Sequence, residues 1–300
     1  MAHNVWIQEL RAPFLLLPAI FIPVGVAIAW NSGSFNLLTT LLTLLGVLSL
    51  HASVNVLNDY FDFQSGLDLA TTPTPFSGGS TILPAKRLTP KSVLIAGSIF
   101  LGVGLGVASY FLYVFNFSPF LILITAFAAI SIVAYSPIIS KTGAGELIVG
   151  LNFGPLLLMG TYFVQTGRID AQPAIVGLSL GILVAGILYI NEFPDAIADE
   201  AVGRRHLVVR WGKAKAASGF KLIVASAYLV IVAGVLGRLV SPFALLGLAA
   251  LPKAITASRV LGMNYGKTLE LIPGMASMVM ATLLTGFLLF IGYLIQGLFF

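Results

Sequence analysis

Two short stretches concentrate the carboxylate chemistry of this chain. The first is Asn55-Val56-Leu57-Asn58-Asp59-Tyr60-Phe61-Asp62, continuing through Gly66 to Asp68. The second is Asn191-Glu192-Phe193-Pro194-Asp195-Ala196-Ile197-Ala198-Asp199-Glu200. Together they hold seven of the eleven acidic residues. On a helix, Asn55 and Asp59 share a face, as do Asn58 and Asp62, and as do Asn191, Asp195 and Asp199. Carboxylates held this close repel one another unless a cation lies between them. An oxygen-only set of Asp and Asn suits Mg²⁺, which keeps water ligands and commonly bridges to substrate phosphates. With no cysteine and three histidines, a structural zinc site is not expected. Arg204 and Arg205 follow Asp199 closely, and arginine offers bidentate donors to phosphate. The bland alternative, solvated acids at helix ends, does not explain why the same grammar of Asn and spaced Asp occurs twice.

The elements that must carry these stretches are membrane helices. The chain is 58% hydrophobic and 9% charged, with a mean hydropathy of +1.00, whereas a soluble domain carries about 25% charged residues. Apolar runs long enough to span a bilayer fall at about 12–31, 36–58, 92–115, 117–137, 144–166, 172–194, 217–238, 241–259 and 272–297. They are continuous and not alternating, which predicts an all-α polytopic protein of about nine transmembrane helices and not a barrel. The first run is as long as a full span and reads as a membrane helix, not a cleaved leader. Residues 1–300 read as a single transmembrane domain.

Fourteen of the sixteen basic residues lie on the amino-terminal flank or after the even-numbered helices; Arg168 and Arg238 alone lie on the other side. The positive-inside rule then predicts a cytoplasmic amino terminus, an outer carboxyl terminus, and both acidic stretches facing the cytoplasm from the cell membrane. Two long cytoplasmic connections, about 59–91 and 195–216, begin with the acidic stretches. Pro194 is expected to kink the second, and Ser77-Gly78-Gly79-Ser80 offers backbone donors to an anion. The positive charge forms no stripe that would suit nucleic acid. Membrane-embedded apolar surface beside a diphosphate clamp points to a lipid diphosphate.

These motifs resemble those of the UbiA superfamily of intramembrane aromatic prenyltransferases: Asn58-Asp59-x-x-Asp62 looks like its first signature and Asp195-x-x-x-Asp199 like its second. The acid at Asp68, with Gly66 where many members carry an Asp, is similar to the branch that prenylates 1,4-dihydroxy-2-naphthoate for menaquinone. So are Tyr135-Ser136, the run from Gly145-Glu146 to Gln165-Thr166-Gly167, and the stretch from Asn191 to Val209-Arg210-Trp211-Gly212. Arg11 before Pro13 resembles the family's early Arg.

The resemblance implies nine helices around a central cavity and Mg²⁺-assisted transfer of a polyprenyl group from its diphosphate to an aromatic acceptor. It implies two Mg²⁺ ions held by Asn58, Asp59, Asp62, Asp68, Asp195 and Asp199, with Asp59, Asp62, Asp195 and Asp199 at the centre of catalysis. Arg204, Arg205, Lys141, Tyr135, Ser136 and Arg11 become candidates for the diphosphate. Asn55, Asn191 and His51 become supporting or acceptor-facing residues. The partners implied are the two substrates and the lipid bilayer, with no obligatory protein. Other acceptors (4-hydroxybenzoate, homogentisate, a glyceryl phosphate lipid or haem) remain open. A cation-coupled transporter is the competing class, because intramembrane acids often mark ion pathways. Acids gathered at one rim instead of the midplane argue against it.

Overall fold

The structure is a computed structural model and describes residues 5–299. It is all helical, with no strand among the described residues. Among the described residues nine apolar helices follow one another: α1 (Ala12–Asn31), α2 (Leu37–Gln64), α3 (Pro90–Val114), α4 (Pro119–Ala134), α5 (Gly145–Thr166), α6 (Ala171–Ala201), α7 (Lys213–Leu236), α8 (Pro242–Asn264) and α9 (Thr268–Phe299). Eight are long and apolar enough to cross a membrane, and α4, at 16 residues, is shorter. Short helices Val5–Glu9, Leu67–Ala70 and Leu207–Trp211 sit in the flank and connections.

The largest departure from the sequence reading concerns α2 and α6. Both continue past the point where hydropathy falls, so the acidic stretches are their final turns and not the start of loops. What stops them is backbone geometry. Gly66 follows α2 with φ of 77°, and Gly203 follows α6 with φ of 83°, a left-handed conformation that glycine adopts without penalty. Pro194 does not end α6, which runs through it for 31 residues. One missing amide hydrogen bond is a small loss in a helix held by packing along its length.

The main core gathers around α6. Phe21 and Ile28 of α1, Leu180, Leu183 and Phe193 of α6, Phe220 of α7 and Met278 of α9 are fully or almost fully buried there. Large apolar side chains on the outer faces, such as Ile99, Leu123, Leu222 and Leu236, are exposed, as suits contact with lipid. Between α5 and α6 the backbones nearly touch: a Cβ on Gly181 would stand 2.2 Å from the Gly150 carbonyl oxygen, and one on Gly154 would stand 2.3 Å from that of Gly177. Facing pairs of small residues four apart allow this approach in membrane helices. α5 widens into a π turn over Asn152–Leu156 at the same level.

Candidate active site

A cavity of about 440 Å³ opens inside the bundle. α2 lines it from Thr43 to Asp62, with Phe111 of α3, Ile124 of α4 and Phe153 of α5 completing a largely apolar wall. Polar groups collect at one end, where the last turns of α2 and α6 face each other across the cavity. Asn55, Asn58 and Asp62 come from α2, and Asn191, Glu192, Asp195 and Asp199 from α6. Arg11, Tyr135 and Arg204 also reach this end.

Two arginines tie the acids together. Arg204 Nη2 donates to Asp62 Oδ1, and its Nη1 lies 3.4 Å from Asp199 Oδ1, so one guanidinium joins α2 to α6. Arg11 Nη2 donates to Asp59 Oδ1 at 2.5 Å. Arg11 holds φ of 49° and ψ of 49°, a left-handed conformation uncommon outside glycine, just before α1. Such backbone persists where surrounding contacts over-determine it, and here one such contact is Asp59. Asp195 Oδ2 accepts from the Gly78 amide at 2.7 Å. The Ser77–Ser80 turn, expected to offer donors to an anion, thus gives one of them to a carboxylate and latches the α2–α3 connection onto α6.

The asparagines are fixed by their amide nitrogens. Asn58 Nδ2 donates to Ser136 Oγ at 2.8 Å, and Asn55 Nδ2 donates to the Leu10 carbonyl at 3.0 Å. Each carboxamide oxygen is then what these residues present to the cavity. His51 lies deeper on α2, its ring edge-on to Phe153 at 4.7 Å between centroids, with Nδ1 buried and without a hydrogen-bond partner. Asn191 Oδ1 is likewise buried and unpartnered.

Not every candidate reaches the cavity wall. Asp59 is 1% exposed and sits behind it, covered by Arg11. Asp68, in the short helix Leu67–Ala70, is buried against Gly79 with neither carboxylate oxygen hydrogen-bonded. Burial pushes its carboxyl up to about 8, with the charges of Asp62 and then Asp59 adding to the effect. Glu9 faces the same acids, and burial followed by the Asp59 charge pushes it up to about 8 as well.

Lys141 and Arg205 are exposed and away from the cavity wall, contrary to expectation. Residues 204–206 are non-helical, and along them Arg204 faces the cavity, Arg205 is exposed and His206 is buried. Lys141 ends a 3₁₀ turn whose Ile139 and Ser140 take the buried positions. Lys141→Ala and Arg205→Ala are each expected to leave kcat/KM within about threefold, as exposed charges do. A loss beyond about tenfold in steady-state assays would place either side chain on the substrate.

Four residues absent from the expected site belong to it or stand against it: Glu192 lines the cavity, and Glu146, His206 and Glu9 are buried among its charges. For His206 the legible signal is spacing, because Glu192, Asp199 and His206 follow one another at intervals of seven, while Glu146 and Glu192 lie in stretches already singled out above. Glu9 gave none.

The described residues include no three acidic or imidazole side chains already set at the spacing of an ion cage. The donor set nevertheless fits Mg²⁺. It is oxygen-only, and the buried Asp59 Oδ2 and both Asp68 oxygens lack partners. Mg²⁺ is usually bound through one or two carboxylates, with water and substrate phosphates supplying the remaining ligands.

A helical bundle with an apolar chamber and a charged rim defines a membrane-embedded protein with a polar site at one end of its cavity. The model of the UbiA prenyltransferase family matches residues 15–269, and the chain belongs to that family. It is therefore a membrane prenyltransferase and not the cation-coupled carrier considered above.

The chain is 28% identical over 299 residues to the 1,4-dihydroxy-2-naphthoate octaprenyltransferase of Bacillus subtilis (strain 168), covering 99% of this chain and 94% of that one. It is 25% identical to the 2-carboxy-1,4-naphthoquinone phytyltransferase of Synechocystis sp. (strain ATCC 27184 / PCC 6803 / Kazusa), over 88% of this chain and 84% of that one. The fold matches that of a UbiA homologue from Archaeoglobus fulgidus bound to GPP and Mg²⁺. The TM-score is 0.63 at 16% identity, covering 96% of this chain and 99% of that one.

Proposed function

We propose that this protein transfers a polyprenyl group from an allylic polyprenyl diphosphate to 1,4-dihydroxy-2-naphthoate in an Mg²⁺-dependent reaction. The observation that carries the reading is the meeting of the α2 and α6 acids, bridged by Arg204, at the mouth of an apolar cavity. The acceptor assignment draws on the curated relatives, whose names specify naphthoquinoid acceptors.

Asn58, Asp62, Asp195 and Asp199 would hold Mg²⁺, with Asp59 and Asp68 in support from behind the wall. The metal would supply positive charge to the departing diphosphate. Arg204 and Arg11 neutralise charge growing on the leaving oxygen as the allylic C–O bond breaks. The apolar wall keeps water from the allylic cation, and the faces of Phe111 and Phe153 stabilise it. The acceptor ring carbon that bears the carboxylate then forms the new C–C bond, and loss of that carboxylate as CO₂ returns its electron pair to the ring and restores aromaticity. His51 and Asn191, two of the wall residues with an unpartnered polar atom, face the acceptor hydroxyls. The asymmetry of basic residues supports a site facing the cytoplasm in the cell membrane.

Purified protein with Mg²⁺, a polyprenyl diphosphate and 1,4-dihydroxy-2-naphthoate is expected to release diphosphate and form a prenylated naphthoquinol, with EDTA abolishing both. Preference for 4-hydroxybenzoate or homogentisate would overturn the acceptor. No turnover across the whole panel would overturn the reaction.

A further inference from the structure

Two carboxylates flank a single imidazole beside the cavity, and a third accepts from the backbone next to it. His206 is 5% exposed, and its Nε2 lies 3.1 Å from Asp199 Oδ2. Its Nδ1 lies 3.3 Å from Glu192 Oε2. Glu192 and Asp199 are two turns apart on one face of α6, so a loop returning along that face can place a single ring against both. The backbone just after the ring is also held, because Glu146 Oε1, at the start of α5, accepts from the Leu207 amide at 3.0 Å. Asp199 is thus gripped on both sides, by His206 at Oδ2 and by Arg204 at Oδ1.

We propose that His206 is a positioning residue for Asp199. Its Nε2–H fixes Oδ2, so that Oδ1 alone is turned toward Arg204 and the donor headgroup, while Glu192 faces the other side of the ring at 3.3 Å and Glu146 holds the backbone next to it. The proposal rests on the assignment of the α6 acids to the diphosphate end. Partners that orient a working carboxylate are commonly worth about 10–100-fold in affinity or activity.

Two near-isosteric variants separate positioning from bulk. In His206→Gln the amide nitrogen takes the place of Nε2 and keeps the bond to Asp199; in His206→Asn it takes the place of Nδ1 and loses it. Steady-state kinetics give KM for each substrate, and thermal melts in detergent give the rise in Tm caused by Mg²⁺ with a prenyl diphosphate. His206→Gln is expected to stay within about threefold of wild type. His206→Asn is expected to raise the donor KM about tenfold or more and shrink the ligand-induced Tm rise, with the acceptor KM within about twofold. Their unliganded Tm values are expected to match.

Equal behaviour of the two variants, or an acceptor KM that moves with the donor KM, would overturn the proposal. If wild type proves inert toward every acceptor yet the Gln and Asn variants still differ in the Tm rise, the acceptor reading fails and the positioning role stands.

Discussion

Asp62→Asn is expected to lower kcat by about 10²–10³-fold and leave the bundle folded. Asp62 is the carboxylate of α2 that both lines the cavity and binds the guanidinium crossing to α6. Asparagine keeps the shape and one acceptor oxygen but removes the charge that would hold a cation against the donor. Removing one partner of a buried ion pair often costs about 3–5 kcal/mol, because the other charge is orphaned. Here Arg204 keeps Asp199 at 3.4 Å and retains 17% side-chain exposure, so the loss of stability is expected to fall below that range. Product formation and a detergent melt measured on one preparation check both halves. A folded variant with activity within tenfold of wild type would remove Asp62 from the chemistry.

The second large effect concerns packing. Gly181→Ala is expected to lower stability by about 1–3 kcal/mol and to reduce activity as well. The added methyl would meet the Gly150 carbonyl oxygen at 2.2 Å, and a carbonyl on a neighbouring helix backbone cannot rotate aside. α5 and α6 must separate, and with them Phe153 and the Asn191–Asp199 face that together line the cavity. Gly102→Ala is the control. It lies within α3, where an added Cβ meets nothing within 4 Å, and helix propensity favours alanine there. Comparable melting temperatures for the two variants would show that the seam tolerates separation.

Much of this architecture could be read from residue types. The nine apolar runs, the paired acids and their convergence at one end follow from hydropathy and helical spacing. Hydropathy misplaced the ends of α2 and α6 because it registers where charges begin, whereas the backbone continues to the left-handed glycines at 66 and 203. Positive charge near an acidic motif does not reveal which arginine faces inward. Arg204 and Arg205 differ only in which way an extended segment directs each side chain, and that depends on where the segment packs. Asp59 belongs to the motif, yet it lies behind the wall because Arg11, nearly fifty residues earlier, folds over it. His206 carries little signal of its own; its importance comes from the two acids that tertiary structure brings to its ring.

The lining of α2 from Thr43 to Asp62 has a consequence for how donors are told apart. At about 1.5 Å per residue this wall runs almost the thickness of a bilayer core. A polyprenyl tail entering it leaves hydrocarbon for surroundings just as oily, so each added isoprene gains little from desolvation. With the proposed donor, affinity would then be set at the charged mouth, by a headgroup that all such donors share. Tail length becomes a matter of what fits and is cut loose, not of what binds hardest.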